Sequence, residues 1–296
     1  MKVLLAIDSS RASQDVICEA ATRPWPAATK FCILHIVDIA GMARFSSLVE
    51  ENKRMAEVLV AQAAQNLSRT GREITTDVLV GIPRKAVAQY AKEWGADLIM
   101  TGSHGQGAMA RFLLGSVAQA MLRTAPCSVE IVRRHADKPL PSARAMKILV
   151  ATDGSECAQA AVKSVALRPW PAGSQVKIIS SVELVAVGRE VAAWSSAAIY
   201  PKDLLEEVWS DAHKRARDAV AEARNILEAA KIKIADGHAT PEGDPRDVVL
   251  DQATQWGADL IVLGSHGWRG IDRVLMGSVS ESVALHAHCS VEIIRP

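Results

Sequence analysis

Two hydrophobic rhythms alternate along the chain. Short apolar runs, Lys2–Ile7, Phe31–Val37, Asp97–Thr101 and Ser128–Val132, are joined by the β-branched stretch Glu73–Val80. Elsewhere apolar residues return every three or four positions, as at Ala12, Val16, Ile17 and Ala20 behind the capping residue Ser10. The first rhythm predicts buried strands and the second amphipathic helices. Ser46–Arg69 reads as one long helix and Gly115–Thr124 as another, and Pro83 suits the first turn of a helix ending near Trp94-Gly95. Strands too apolar to face water, alternating with helices, predict a parallel sheet covered on both faces with right-handed crossovers. The expected class is α/β: two tandem doubly wound, Rossmann-like domains, each a five-stranded parallel sheet flanked by helices.

Two domains are expected because the pattern is written twice. Trp94–Arg134 and Trp256–Pro296 align without a gap and agree at 22 of 41 positions. Upstream, Asp8 matches Asp153 and Arg23-Pro-Trp-Pro26 matches Arg168-Pro-Trp-Pro171. Gly81-Ile-Pro-Arg84 matches Gly243-Asp-Pro-Arg246, but the offset has grown by 17 residues. The extra residues are expected in Leu184–Tyr200 and the start of the following helix. His135–Ala145 is polar, holds two prolines and marks the boundary, giving domains at 1–135 and 146–296. A chain of 296 residues lets each copy bury its own core.

Composition narrows the function. Hydrophobic residues make up 49% of the chain, yet no apolar run reaches the ~20 residues of a membrane span. The opening MKVLLAIDSS is too short in its apolar part for a secretion signal, so a soluble, cytoplasmic protein is expected. With 34 basic against 33 acidic residues there is no electrostatic case for nucleic acid or an anionic membrane. The five cysteines include no C-x-x-C pair, and Cys127 and Cys289 read as buried thiols.

In doubly wound sheets a ligand sits beyond the carboxyl ends of the strands, where the strand order reverses. Three segments of each copy end there: Asp8 after the first strand, Val37-Asp38 after the second, and a glycine loop after the fourth. That loop runs Gly102-x-x-Gly105, nine residues, then Gly115-Ser116; its repeat is Gly264-x-x-Gly267, nine residues, then Gly277-Ser278. The glycines are expected to permit positive φ and close backbone approach, turning N–H groups toward phosphate oxygens. The helix opened by Gly115-Ser116 adds unpaired amides and a dipole that favour an anion. Arg111 and Arg273 lie in the gaps, as phosphate partners or solvated charges, and His104 and His266 lie inside the loops. The repeated tryptophans Trp25, Trp94, Trp170 and Trp256 read as packing residues. His286-x-His288 lacks a third metal ligand, and no metal site is expected.

With AIDSS and ATDGS at the first strands, LHIVD at the second, and LLGSVA and LMGSVS closing the glycine pattern, nearly the whole chain resembles the universal stress protein family in its tandem form. The resemblance implies an adenine nucleotide alpha hydrolase-like fold and, in its ATP-binding branch, ATP, ADP or AMP in each copy, with Mg as accompanying ion. Asp8 and Asp153 would then bind ribose or position the ion, and the backbone at Val37 and Val182 would contact adenine. Gly102, Gly105, Gly115 and Ser116, with Gly264, Gly267, Gly277 and Ser278, would hold the phosphates. In the second copy Ser180 and Ser181 make the adenine wall more polar. The resemblance also implies that the last strands meet across a dimer-like interface, here within one chain as an intramolecular pseudo-dimer, with a homodimer of chains open besides. Glu130 and Glu292 are expected to point away from the core by period-two alternation.

The expected function is a stress-response sensor or regulator acting through nucleotide occupancy. One alternative is a slow ATPase or nucleotide-dependent transferase. Against it, the chain lacks a G-x-x-x-x-G-K-[ST] loop, and no catalytic set assembles from matched positions. The other is an interaction scaffold that binds nothing, which the doubled glycine pattern argues against.

Overall fold

A computed structural model of the chain describes residues 1–39, 46–105, 114–133, 144–182, 202–236, 240–267 and 276–296. The first copy contributes strands β1 (Lys2–Ala6), β2 (Lys30–Asp38), β3 (Glu73–Gly81), β4 (Leu98–Gly102) and β5 (Ser128–Val132), paired in parallel. The second contributes β6 (Lys147–Ala151), β7 (Gln175–Ile179), β8 (Leu260–Gly264) and β9 (Ser290–Ile294), also parallel among themselves. One nine-stranded sheet results, in the order β3-β2-β1-β4-β5-β9-β8-β6-β7, with β5 and β9 antiparallel at its centre. The helices are α1 (Arg11–Thr22), α2 (Ser46–Ser68), α3 (Pro83–Trp94), α4 (Ser116–Thr124), α5 (Glu156–Leu167), α6 (Lys202–Ala229), α7 (Pro245–Trp256) and α8 (Ser278–His286). None of the described helices is long and apolar enough to cross a membrane.

Local signals set the boundaries. Ser10 caps α1 by accepting from Ser13 N–H, and Ser155 caps α5 by accepting from Ala158 N–H. Pro83 and Pro245 sit in the first turns of α3 and α7, and each helix ends on a left-handed glycine, Gly95 or Gly257. Just beyond, Lys2 and Lys147 each donate to the carbonyl of the last tryptophan, Trp94 or Trp256, tying helix end to strand start.

The second copy departs from the expected five strands. Among the described residues, the segment matching β3 makes isolated parallel bridges, Val176 with Ile234 and Val182 with Glu242. Lys231 adopts positive φ before it, and Pro241 has no N–H to give a ladder. The proposed insertion Leu184–Tyr200 and most of the linker lie outside the described residues.

The two faces of the sheet are built differently. On the face covered by α3, α4, α7 and α8, one apolar core runs through both copies, from Leu34 and Met121 to Val283 and Ile261. On the other face the cores are separate, one around Phe31 and Leu67 and one around Ile178 and Leu227. At the seam on that face stand Glu130 and Glu292, directly opposite each other on β5 and β9. The expectation that they point away from the core is overturned, since both are fully buried. Arg23 donates to Glu130 at 3.2 and 2.6 Å, and Arg168 to Glu292 at 2.9 Å. The alternation is right, but helices cover both faces of the sheet, so neither face reaches water.

Candidate functional site

Strand order reverses at β1, whose neighbours β2 and β4 lead to opposite sides of the sheet. Asp8 leaves β1 at that point and is fixed by α1. Its Oδ1 accepts from Ser10 N–H at 2.9 Å and from Ser13 Oγ at 2.7 Å, while its own N–H donates to Ser13 Oγ at 2.8 Å. His35 on β2 braces the same corner, with Nδ1 2.9 Å from Ile7 O. Burial pushes the His35 imidazole below its usual pKa, against the opposing pull of the Ile7 carbonyl and Asp8.

The glycine loop approaches from β4. Ser103 N–H donates to Val132 O, and Gly115 N–H returns to Ser103 O at 2.8 Å, so the loop closes at its own base. Ser103 Oγ lies 2.8 Å from His104 Nδ1, a loop-shaping bond, and Ser10 Oγ donates to His104 O at 3.3 Å. The second copy repeats the frame: Gly277 N–H to Ser265 O at 2.9 Å, Ser265 Oγ to His266 Nδ1 at 2.9 Å, Ser155 Oγ to His266 O at 3.4 Å. Ser155 N–H donates to Asp153 Oδ1 at 3.0 Å. Burial, and secondarily the Arg295 charge, hold the His266 imidazole below its usual pKa.

The glycines act through space rather than through φ. None of Gly102, Gly105, Gly115, Gly264, Gly267 and Gly277 has positive φ, so of the two expected reasons only close approach stands. A methyl on Gly102 would lie 2.7 Å from Ala12 Cβ and 3.0 Å from its backbone carbon; one on Gly264 would lie 2.6 Å from the Cys157 carbonyl carbon. These two let strand and helix approach. A methyl on Gly105 or Gly267 would instead meet the Asp8 or Asp153 Oδ2, at 2.9 and 2.5 Å. The second carboxylate oxygen of each copy therefore faces its loop.

Gly115 and Gly277 are N-caps of α4 and α8, and among the described residues no side chain caps either helix. Their own amides close the loops, so the donors left for an anion are those of the first turn, beginning with Ser116 and Ser278. Asp8, Gly105 and the start of α4 thus converge, and Asp153, Gly267 and the start of α8 repeat the arrangement.

The phase of the ladder sets which second-strand backbone groups face which neighbour. Lys30 N–H bonds Met1 O and Ile7 N–H bonds Leu34 O, so the even-numbered positions of β2 face β1; Ile39 N–H bonds Gly81 O, so the odd ones face β3. Val37 belongs to the odd set. Val182 is engaged the same way, its N–H on Pro241 O and its carbonyl taken by Gly243 N–H. The backbone groups turned toward the crevice, past the ends of β1 and β6, are those of Ile36 and Ser181. The HIVD segment marked the place; only the ladder's phase reveals which residue faces inward. Ser13, Ser103 and Ser265 also escaped the sequence reading, although Ser-His-Gly recurs in both loops, and the sequence marks Ser10 only as a helix cap. Arg111 and Arg273 lie outside the described residues, and no group of three metal-ligating side chains occurs among the described ones.

The universal stress protein family matches the chain twice, over residues 1–133 and 145–295. A universal stress protein of Mycobacterium tuberculosis is 27% identical over 304 residues, spanning 96% of this chain and 93% of its own. One from Mycolicibacterium smegmatis is 26% identical, spanning 99% and 97%. The crystal structure of a universal stress protein from Archaeoglobus fulgidus superposes with a TM-score of 0.66 at 20% identity, over 99% of this chain and 96% of that one, and shares the fold.

Proposed function

The chain belongs to the universal stress protein family, and from that premise we propose that each copy binds an adenine nucleotide beyond β1 and β4, occupancy being what the protein senses or transmits. One observation carries this reading: a helix-anchored carboxylate turns its second oxygen to a glycine loop beside a helix start capped by glycine, and does so twice. A phosphate suits the amides of Ser116 or Ser278 and the positive end of the dipole. Gly105 and Gly267 keep the loops close to the carboxylates, and Gly115 and Gly277 open the helices. Gly102 and Gly264 contribute only shape. Asp8 and Asp153 suit a ribose hydroxyl, or an Mg ion carried in with the phosphates. The backbone edges of Ile36 and Ser181 suit the donor and acceptor rim of adenine, in place of Val37 and Val182. The described residues fit a nucleotide well, and they offer no phosphate-binding lysine at the loop that would favour rapid phosphoryl transfer.

The five cysteines are free thiols, which fits a cytoplasmic setting. The β5–β9 ladder supports reading the chain as an intramolecular pseudo-dimer. The test is a thermal melt with and without Mg-ATP. At a hundredfold excess over Kd, each independent site adds about 2.7 kcal/mol of stability. Gly105→Val with Gly267→Val, which fills both crevices, should abolish the shift. An unchanged melt of the native chain at millimolar ATP contradicts the proposal.

A further inference from the structure

The two crevices share a frame but not its bracing. In the first copy Ser13 joins Asp8 at both ends, giving its hydroxyl to Oδ1 at 2.7 Å and taking the backbone N–H at 2.8 Å. The repeat-equivalent residue in the second copy is Ala158, which has no hydroxyl to offer Asp153. His35 steadies the Ile7 carbonyl, and its counterpart is Ser180. Asp8 is accordingly half-buried, whereas Asp153 is exposed. The strand behind the first crevice pairs with β3 over nine residues, while behind the second the described residues of the outer segment make isolated bridges. The helix that carries these anchors opens on exposed Arg11 in the first copy and on exposed Glu156 in the second.

We infer that the sites are unequal: the first copy is a preorganised, tighter nucleotide site and the second a weaker one, with Ser13 the residue that separates them. The inference rests on the nucleotide reading. A carboxylate already held in its binding orientation loses less freedom when ligand arrives, and that difference appears directly as affinity. The chain therefore responds over two concentration ranges of one nucleotide, with the first site filled while the second still titrates.

Isothermal titration of the full chain with ATP tests this. Gly267→Val leaves the first crevice to be read alone, and Gly105→Val the second. The first is expected to bind at least fivefold more tightly, about the worth of one net hydrogen bond. Adding Ser13→Ala to the Gly267→Val chain should remove roughly that factor. Adding Ala158→Ser to the Gly105→Val chain should tighten the second site, a gain that misfolding cannot imitate. Equal affinities, or a Ser13→Ala change without effect on a chain of unchanged circular dichroism, overturn the inequality while leaving nucleotide binding intact. Absence of heat from every chain overturns both.

Discussion

Arg23 and Glu130 meet where neither face of the sheet reaches water, and a second pair, Arg168 with Glu292, lies across the ladder from them. Arg23 also stacks on Trp25 at 4.4 Å and lies 5.9 Å from the ring of Trp170 in the other copy. Burial pushes the Glu130 carboxyl up to about 7; Arg23 opposes the shift, and Glu292 and Glu19 add to it. Removing one partner strands a buried charge, so Arg23→Ala should destabilise the chain by about 3–5 kcal/mol in urea unfolding. Glu130 should also make stability depend on pH. A carboxylate with a raised folded-state pKa holds more protons folded than unfolded, so its contribution grows as pH falls from about 7 toward its ordinary value near 4.5. The lowered pKa of His35 works in the opposite direction, losing stability below its ordinary value of 6.5. The two separate by difference: the native chain should gain stability relative to Glu130→Gln as pH falls through that window. A constant difference would contradict a raised carboxyl.

At the scale of elements, the glycines fall into two sets that look alike in sequence. Gly102 presses on backbone and Cβ atoms of α1, so Gly102→Ala forces β4 and α1 apart and should cost about 1–3 kcal/mol of stability. Among the described residues a methyl on Gly105 meets a carboxylate oxygen and no backbone, so Gly105→Ala should disturb the Asp8 hydrogen bonds, cost less stability than Gly102→Ala and weaken ATP binding. Equal destabilisation by the two would contradict this division. Here the limits of sequence reading show physically. Strands, helices, caps and the doubled loop were legible because each depends on local periodicity, a capping residue or a proline. The role of Gly102, the phase that turns Ile36 rather than Val37 inward, and the burial of Glu130 depend on what lies across the sheet. Arg23-Pro-Trp-Pro26 and Cys127-Ser-Val-Glu-Ile131 both recur in the second copy, but nothing in their spacing says that Arg and Glu meet.

For the molecule as a whole, the seam makes the copies interdependent. Arg133 reaches from the end of β5 to the carbonyls of Ala284 and Leu285 in α8, and Arg295 reaches back to Leu122 in α4. Each caps the carboxyl end of a helix in the other copy, where a cation is favoured. With one apolar core beneath them, the copies should unfold in a single calorimetric transition whose van't Hoff and calorimetric enthalpies agree. Arg133→Ala with Arg295→Ala should lower the midpoint without splitting it, and two resolved transitions would contradict the shared core. The central claim is that both crevices hold an adenine nucleotide. It is tested most directly by denaturing freshly purified protein and identifying the released small molecule by chromatography and mass spectrometry, beside the Gly115→Ala, Gly277→Ala chain. The account predicts ATP or ADP from the native chain, up to two per chain, and a marked loss from the variant, because a methyl at either position would crowd the loop base at 3.2–3.3 Å. A native chain that releases no nucleotide, and takes none up from millimolar Mg-ATP before a second release, would contradict it.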